Sequence, residues 1–154
     1  MLIHLIHFSY IFGLVCWIGS IIFFSFFAAP TIFKLLDREK AGEVVGVIFP
    51  RYYMLGYVCA ILILSSLFIS SPNFFGIKQM LLLVMMVGWF YAGLVVSPQS
   101  KKLKALRKLA GSAEEQRLLE TQFKKAHSLA VKLNGIVLFA GLGLLWFSAV
   151  EFKL

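Results

Sequence analysis

The chain has 154 residues, 60% hydrophobic and only 14% charged, with a mean hydropathy of +0.89, too apolar for an ordinary soluble domain. Its formal charge of +8 invites a nucleic-acid partner, but no soluble module is left to carry a basic groove. Attraction to anionic lipid headgroups accounts for the same charge, so no nucleic-acid partner is expected.

A spanning helix needs about 20 apolar residues to cross a core of ~30 Å. Residues 5–33, 52–70, 74–96 and 128–150 qualify. The expected fold is an all-α integral membrane protein: one domain over 1–154, a four-transmembrane-helix bundle with amphipathic cytoplasmic helices in segments 34–51 and 97–127.

The first stretch ends in Phe27-Ala28-Ala29-Pro30, like a signal peptide, but no Lys or Arg precedes Lys34. Its apolar run also exceeds the ~7–15 residues of a signal h-region, so a retained helix is expected. His4 and His7, at i and i+3, share a face as metal ligands would. Only Glu151, at the same end of the fourth span, could join them, so packing is favoured over metal. Ser9, Gly13, Cys16 and Ser20, with Gly19 beside them, form a small-residue stripe for close helix packing within a bundle or between subunits. Trp17 and Trp89 are expected to pack deep, whereas Tyr52, Tyr53 and Trp146 suit interfacial anchoring. Cys16 and Cys59 lack CxxC or Cys/His spacing and read as packing residues.

Asp37 is placed to N-cap a short helix over 38–48 whose apolar face is Ala41, Val44, Val45 and Ile48. Phe49-Pro50 is expected to interrupt it, with Pro50 in the first turn of the second span. A turn at Ser70–Phe74 leads to the third span, where Gly88 and Ala92 repeat the small-xxx-small spacing. Gly141 and Gly143 thin the fourth. After Ser97-Pro98, residues 101–110 form an amphipathic run with Leu103, Leu106 and Ala110 on one stripe; Gly111 is a natural stop. Ser112-Ala-Glu-Glu115 reads as a capping box for a helix running through Leu118, Phe123 and His127 into the fourth span. The third and fourth spans would then project as a helical hairpin. The alternative lays these pieces flat on the inner leaflet.

Thirteen of the fifteen Lys and Arg residues fall in 34–51 and 101–132; only Lys78 and Lys153 lie elsewhere. The positive-inside rule therefore places both basic segments in the cytoplasm and both termini outside, in a cytoplasmic (inner) membrane.

Polar groups at membrane depth are the first places to seek chemistry. His127 and Asn134, seven residues apart, differ by roughly 20° on a helix and share a face near the inner end of the fourth span. They suit either an interhelical hydrogen bond or a ligand-, ion- or proton-handling role. Lys132 points elsewhere and is expected to snorkel. His7 and His127 sit near opposite surfaces and cannot ligate one haem iron, so haem is disfavoured and no cofactor is expected. No nucleophile–base pair, nucleotide loop or paired carboxylates is present, and no catalytic residue is assigned; the reading leans against an enzyme.

Trp17-Ile-Gly19, Phe26 through Leu36, Ala41-Gly42, Ile48-Phe-Pro-Arg-Tyr-Tyr53, Ser97-Pro98 and His127-Ser-Leu129 with Asn134 resemble the four-helix membrane family labelled domain of unknown function 4149. That family includes the transmembrane-protein-205-like proteins. A more distant similarity of the first helix, to the copper-resistance D and membrane protoporphyrinogen-oxidase groups, carries over neither haem nor copper. The resemblance implies a four-helix integral membrane protein with no settled activity. It draws attention to Pro30, Phe33, Pro50, Arg51, Tyr53, Pro98, His127 and Asn134, all at the inner face by topology.

Three functions are consistent with this pattern. The first binds or transports a small solute or ion through an inward-facing pocket: Arg51 as fixed cation, His127 as titratable group, Tyr53 and Asn134 beside them. Transport would need a homo-oligomer. The second is a non-catalytic accessory subunit of a membrane complex. The third is a haem- or metal-dependent redox protein.

Overall fold

Long runs of apolar residues cannot leave backbone N–H and C=O groups unpaired in lipid, and helices satisfy them internally. The computed structural model describes residues 1–70 and 76–151, and among these it contains helices and no strand. Of the expected turn at Ser70–Phe74, Ser70 ends a helix and the rest, with the first residues of the third span and Lys153, lies outside the described residues.

Four long rods result: α1 over Leu2–Leu35, α2 over Arg38–Ser70, α3 over Ile77–Leu109 and α4 over Ala113–Glu151. All are long and apolar enough to cross a membrane. At 1.5 Å per residue, the 39 residues of α4 reach about 58 Å, nearly twice a bilayer core. Each rod runs antiparallel to its neighbours around a closed ring. Gly13 of α1 lies against the main-chain oxygen of Cys59 in α2, and Gly141 of α4 against Met85 of α3 and Ile18 of α1.

α1 and α3 pass their prolines by the same device. In α1 a wide π turn covers Phe23–Ala28 and the N–H of Ala29 reaches back to the oxygen of Phe24; Pro30 follows. In α3 the π turn covers Ala92–Val96, the N–H of Ser97 bonds to Ala92, and Pro98 follows. Proline has no N–H and its ring crowds the carbonyl four residues back. The extra residue in the π turn moves that carbonyl aside, so both helices continue past their prolines.

α2 corrects one expectation. Phe49-Pro50 does not interrupt the helix, which runs unbroken through Pro50 from Arg38. The carbonyl that the ring would crowd belongs to Gly46, which has open space around its Cβ position. The buried stripe is also continuous across the proline: Ala41 and Val45 before it, Tyr52, Tyr53, Cys59, Ala60 and Ile63 after it. Burial on both sides outweighs the ~3 kcal/mol that an interior proline costs a helix.

The caps follow the sequence more closely. Leu36 turns extended, and Asp37 Oδ1 accepts the N–H of Lys40 at 3.0 Å. That bond holds the Asp37 carboxyl below its ordinary range. Ser112 Oγ accepts from Glu115 N–H at 3.2 Å, and the Glu115 carboxylate returns to the N–H of Gly111. α3 ends with Ala110 extended, and no described glycine has a positive φ. Gly111 is therefore not the left-handed stop that its position suggests.

The core is a column of fully buried side chains: Leu14, Trp17 and Ile21 from α1, Ile63 from α2, Met85 and Trp89 from α3, Val137 and Leu144 from α4. Large apolar side chains such as Phe8, Val87, Phe139 and Trp146 stand exposed on the outside. That arrangement suits lipid as the surrounding solvent. Beyond the apolar region α3 and α4 continue as a hairpin with its own small core, Val96, Leu103 and Ala126 flanked by Leu119, Phe123, Ala130 and Leu133.

Candidate functional site

Two places concentrate polar chemistry: an aromatic crossing inside the bundle, and the charged stalk formed by the ends of α2, α3 and α4.

At the crossing Trp89 is the hub. Its ring meets Trp17 edge-on at 5.5 Å, Tyr52 at 4.8 Å and Tyr53 at 5.2 Å. Its indole N–H donates to the main-chain oxygen of Tyr53 at 3.1 Å. Gly56 of α2 lies directly under the indole and Gly93 of α3 lies against Tyr53 and Tyr57; a Cβ at either would collide with the ring above it. Phe24 and Phe49 extend the stack beyond Tyr52. Tyr52 and Tyr53 are thus core residues rather than interfacial anchors, because α2 turns them inward onto Trp89. Trp146, in contrast, is exposed to the surroundings.

Four side-chain atoms are buried without a hydrogen-bond partner among the described residues: Trp17 Nε1, Tyr52 Oη and Tyr57 Oη around the crossing, and Asn134 Oδ1 on α4. In a protein interior each such group costs of order 1–3 kcal/mol. Toward the opposite end of the bundle Tyr10 and Ser148 are satisfied. Ser148 Oγ donates to the oxygen of Leu144 at 2.7 Å, so the Tyr10 hydroxyl donates to Ser148 Oγ, also at 2.7 Å.

The stalk is tied by ion pairs. Lys108 of α3 reaches both Glu39 at 2.9 Å and Glu43 at 3.1 Å on α2. Glu39 is held below its ordinary value by Lys108, and Lys108 is raised above its own by Glu39 and then Glu43. Arg107 pairs with Glu120 across the hairpin, and that contact, before any other, lowers the Glu120 carboxyl. Lys124 approaches the same Glu120 at 3.6 Å.

The sequence-derived candidates fall into these two regions without converging. Arg51 is exposed, its guanidinium 3.5 Å from the Val47 oxygen on its own helix. Tyr53 is buried beneath Trp89. His127 is exposed and stacks on Phe123, ring centres 6.2 Å apart. Asn134 is half-buried. Among the described residues no hydrogen bond or ion pair links the four. His4 and His7 are exposed near the start of α1, and no group of three or more His, Cys, Asp or Glu is gathered among the described residues.

Of the packing candidates, Gly13, Gly88 and Ala92 are buried: Gly13 against α2, Gly88 against Val137 of α4. Ser9, Cys16 and Ser20 are half-buried, and Ser20 Oγ bonds to the Trp17 oxygen. Gly19 faces outward with nothing near its Cβ position. Gly56 and Gly93, the closest glycine approaches to the stack, escaped sequence reading, as did the Lys108 clamp. Glu39 and Glu43 at i and i+4 could have revealed it, as an acidic pair facing an otherwise basic segment.

Residues 12–109 match the family described as Domain of unknown function (DUF4149). An "Uncharacterized protein" of Aquifex aeolicus (strain VF5) is 33% identical over 124 residues, covering 79% of this chain and 80% of that protein. No solved structure matches the chain. The chain belongs to the DUF4149 family.

Proposed function

We propose that this member of the DUF4149 family is a non-catalytic accessory protein. Its four-helix bundle anchors a braced basic stalk on the cytoplasmic side of the inner membrane, where the stalk engages a partner of a membrane complex. One observation carries the reading: Lys108, Glu39, Glu43, Arg107 and Glu120 tie three helices together outside the apolar zone. That bracing consumes acidic groups and leaves a stalk rich in Lys and Arg, suited to an anionic surface. The thirteen-to-two split of basic residues supports the orientation. A photo-crosslinking residue at Gln116, in cells making the protein at its natural level, should give one dominant protein adduct. Lys→Gln at 101, 102 and 104 should weaken it. No protein adduct at all would overturn the accessory role.

A second reading, solute binding inside the bundle, is supported by the unpartnered polar atoms of Trp17, Tyr52 and Asn134. A polar solute that offered them hydrogen bonds would raise the thermal midpoint of the wild type and not of Asn134→Leu.

A further inference from the structure

Beside the stalk's ion pairs, and sharing Lys124 with them, the face of α4 turned away from α3 carries a second concentration of charge. Thr121, Lys124, Lys125, Ser128, Leu129 and Lys132 line a groove of about 370 Å³. Their spacings of three and four place them on one face, opposite the Phe123, Ala126 and Ala130 side that packs in the hairpin.

From this groove we infer a binding site for the phosphate-bearing headgroup of an anionic phospholipid. Lys125 and Lys132 make no ion pair among the described residues, and the Glu120 near Lys124 is already held by Arg107. Thr121 donates its hydroxyl proton to the Arg117 oxygen at 2.9 Å, so Ser128 is the groove hydroxyl with no hydrogen bond among the described residues. Helical side chains lean toward the N-terminus. Lys132 therefore leans from the apolar zone toward Ser128, about 10 Å of helix short of Lys125. Lys125 and Lys132 flank Ser128 on this face, so a phosphate over Ser128 lies in the field of both. Past Lys132 the same face continues as exposed Ile136, Phe139 and Trp146, an apolar track for acyl chains. A zwitterionic headgroup would bring its own cation against three lysines; an anionic one would not.

The inference rests on the reading that the basic ends lie at a membrane surface, though not on which side or on the accessory role. The test reconstitutes the full chain in phosphatidylcholine bilayers and compares its association with spin-labelled phosphatidylglycerol and spin-labelled phosphatidylcholine. Wild type should prefer phosphatidylglycerol, and K124Q/K125Q/K132Q should lose roughly fivefold of that preference per lysine. K124R/K125R/K132R should keep it, and K101Q/K102Q/K104Q on α3 should lose far less. Equal loss in both Gln triples would mean diffuse charge and overturn the site. Displacement of the lipid by inorganic phosphate beyond a chloride control of equal ionic strength would assign the groove to free phosphate and overturn the lipid. Impermeant labelling of S112C on the same vesicles separates the two levels. Accessible S112C without lipid preference removes only the headgroup site, whereas S112C protected on both sides removes the surface reading beneath it.

Discussion

Trp89 donates its indole N–H to the main-chain oxygen of Tyr53 while Gly56, one turn further along the same helix, lies beneath the ring. A hydrogen bond and a missing side chain thus fix the same tryptophan. Gly56→Ala puts a methyl group into that ring. It should destabilise the bundle by about 1–3 kcal/mol, read as a lower midpoint in detergent denaturation. Trp89→Phe should cost at least as much, because it removes ring volume as well as the bond.

Pro50 lies inside a continuous helix, so Pro50→Ala should preserve the fold. It should raise stability by up to about 3 kcal/mol in the same denaturation assay. A loss of helicity would mean that the proline shapes the helix rather than merely being tolerated by it.

Asn134 buries a carbonyl oxygen with no hydrogen-bond partner among the described residues. Asn134→Leu should therefore leave stability unchanged or raise it by about 1–3 kcal/mol. A marked fall would show that the amide is hydrogen-bonded in the membrane.

The Lys108 clamp gives the stalk a pH window. Glu39 sits below its ordinary 4.5 in the folded state, so its contribution is complete above about that pH. It is lost as pH falls through the lower folded value. Lys108 sits above its ordinary 10.5, so its contribution is complete below that and lost as pH rises through the higher value. Spin labels at Gly46 and Ala105 should stay at one distance between these limits and spread at acid pH or in high salt. Lys108→Ala should produce the same spread at neutral pH.

Glu120→Gln should loosen the hairpin by weakening its pairing with Arg107. Faster amide exchange around Gln116 and Leu119, with the membrane segments unchanged, would be the signature.

Much of the architecture was legible in the sequence because it follows from local rules. Apolar length marks the four spans, Asp37 caps α2 through one bond, and the Ser112–Glu115 box starts α4. The break at Pro50 was misjudged because the local cost of proline is visible in sequence, whereas the buried stripe on both sides of it is a tertiary fact. Tyr52 and Tyr53 were assigned to the interface for a related reason: amphipathic rings suit either a headgroup layer or a polar pocket in the core, and only the facing Trp89 decides between them. Arg51, His127 and Asn134 come from positions that the expected topology puts near one level. A shared level does not make a shared site, since helix rotation turns Arg51 and His127 outward.

The fourth helix runs for 39 residues from the stalk through the bundle with no loop between. α2 and α3 also continue into the stalk without a loop, and Lys108 ties their far ends together through Glu39. The molecule is therefore mechanically a lever: a sideways load on the stalk has no slack segment to absorb it. It passes into the bundle through the wide turn of α3 over Ala92–Val96, where that helix joins the stalk.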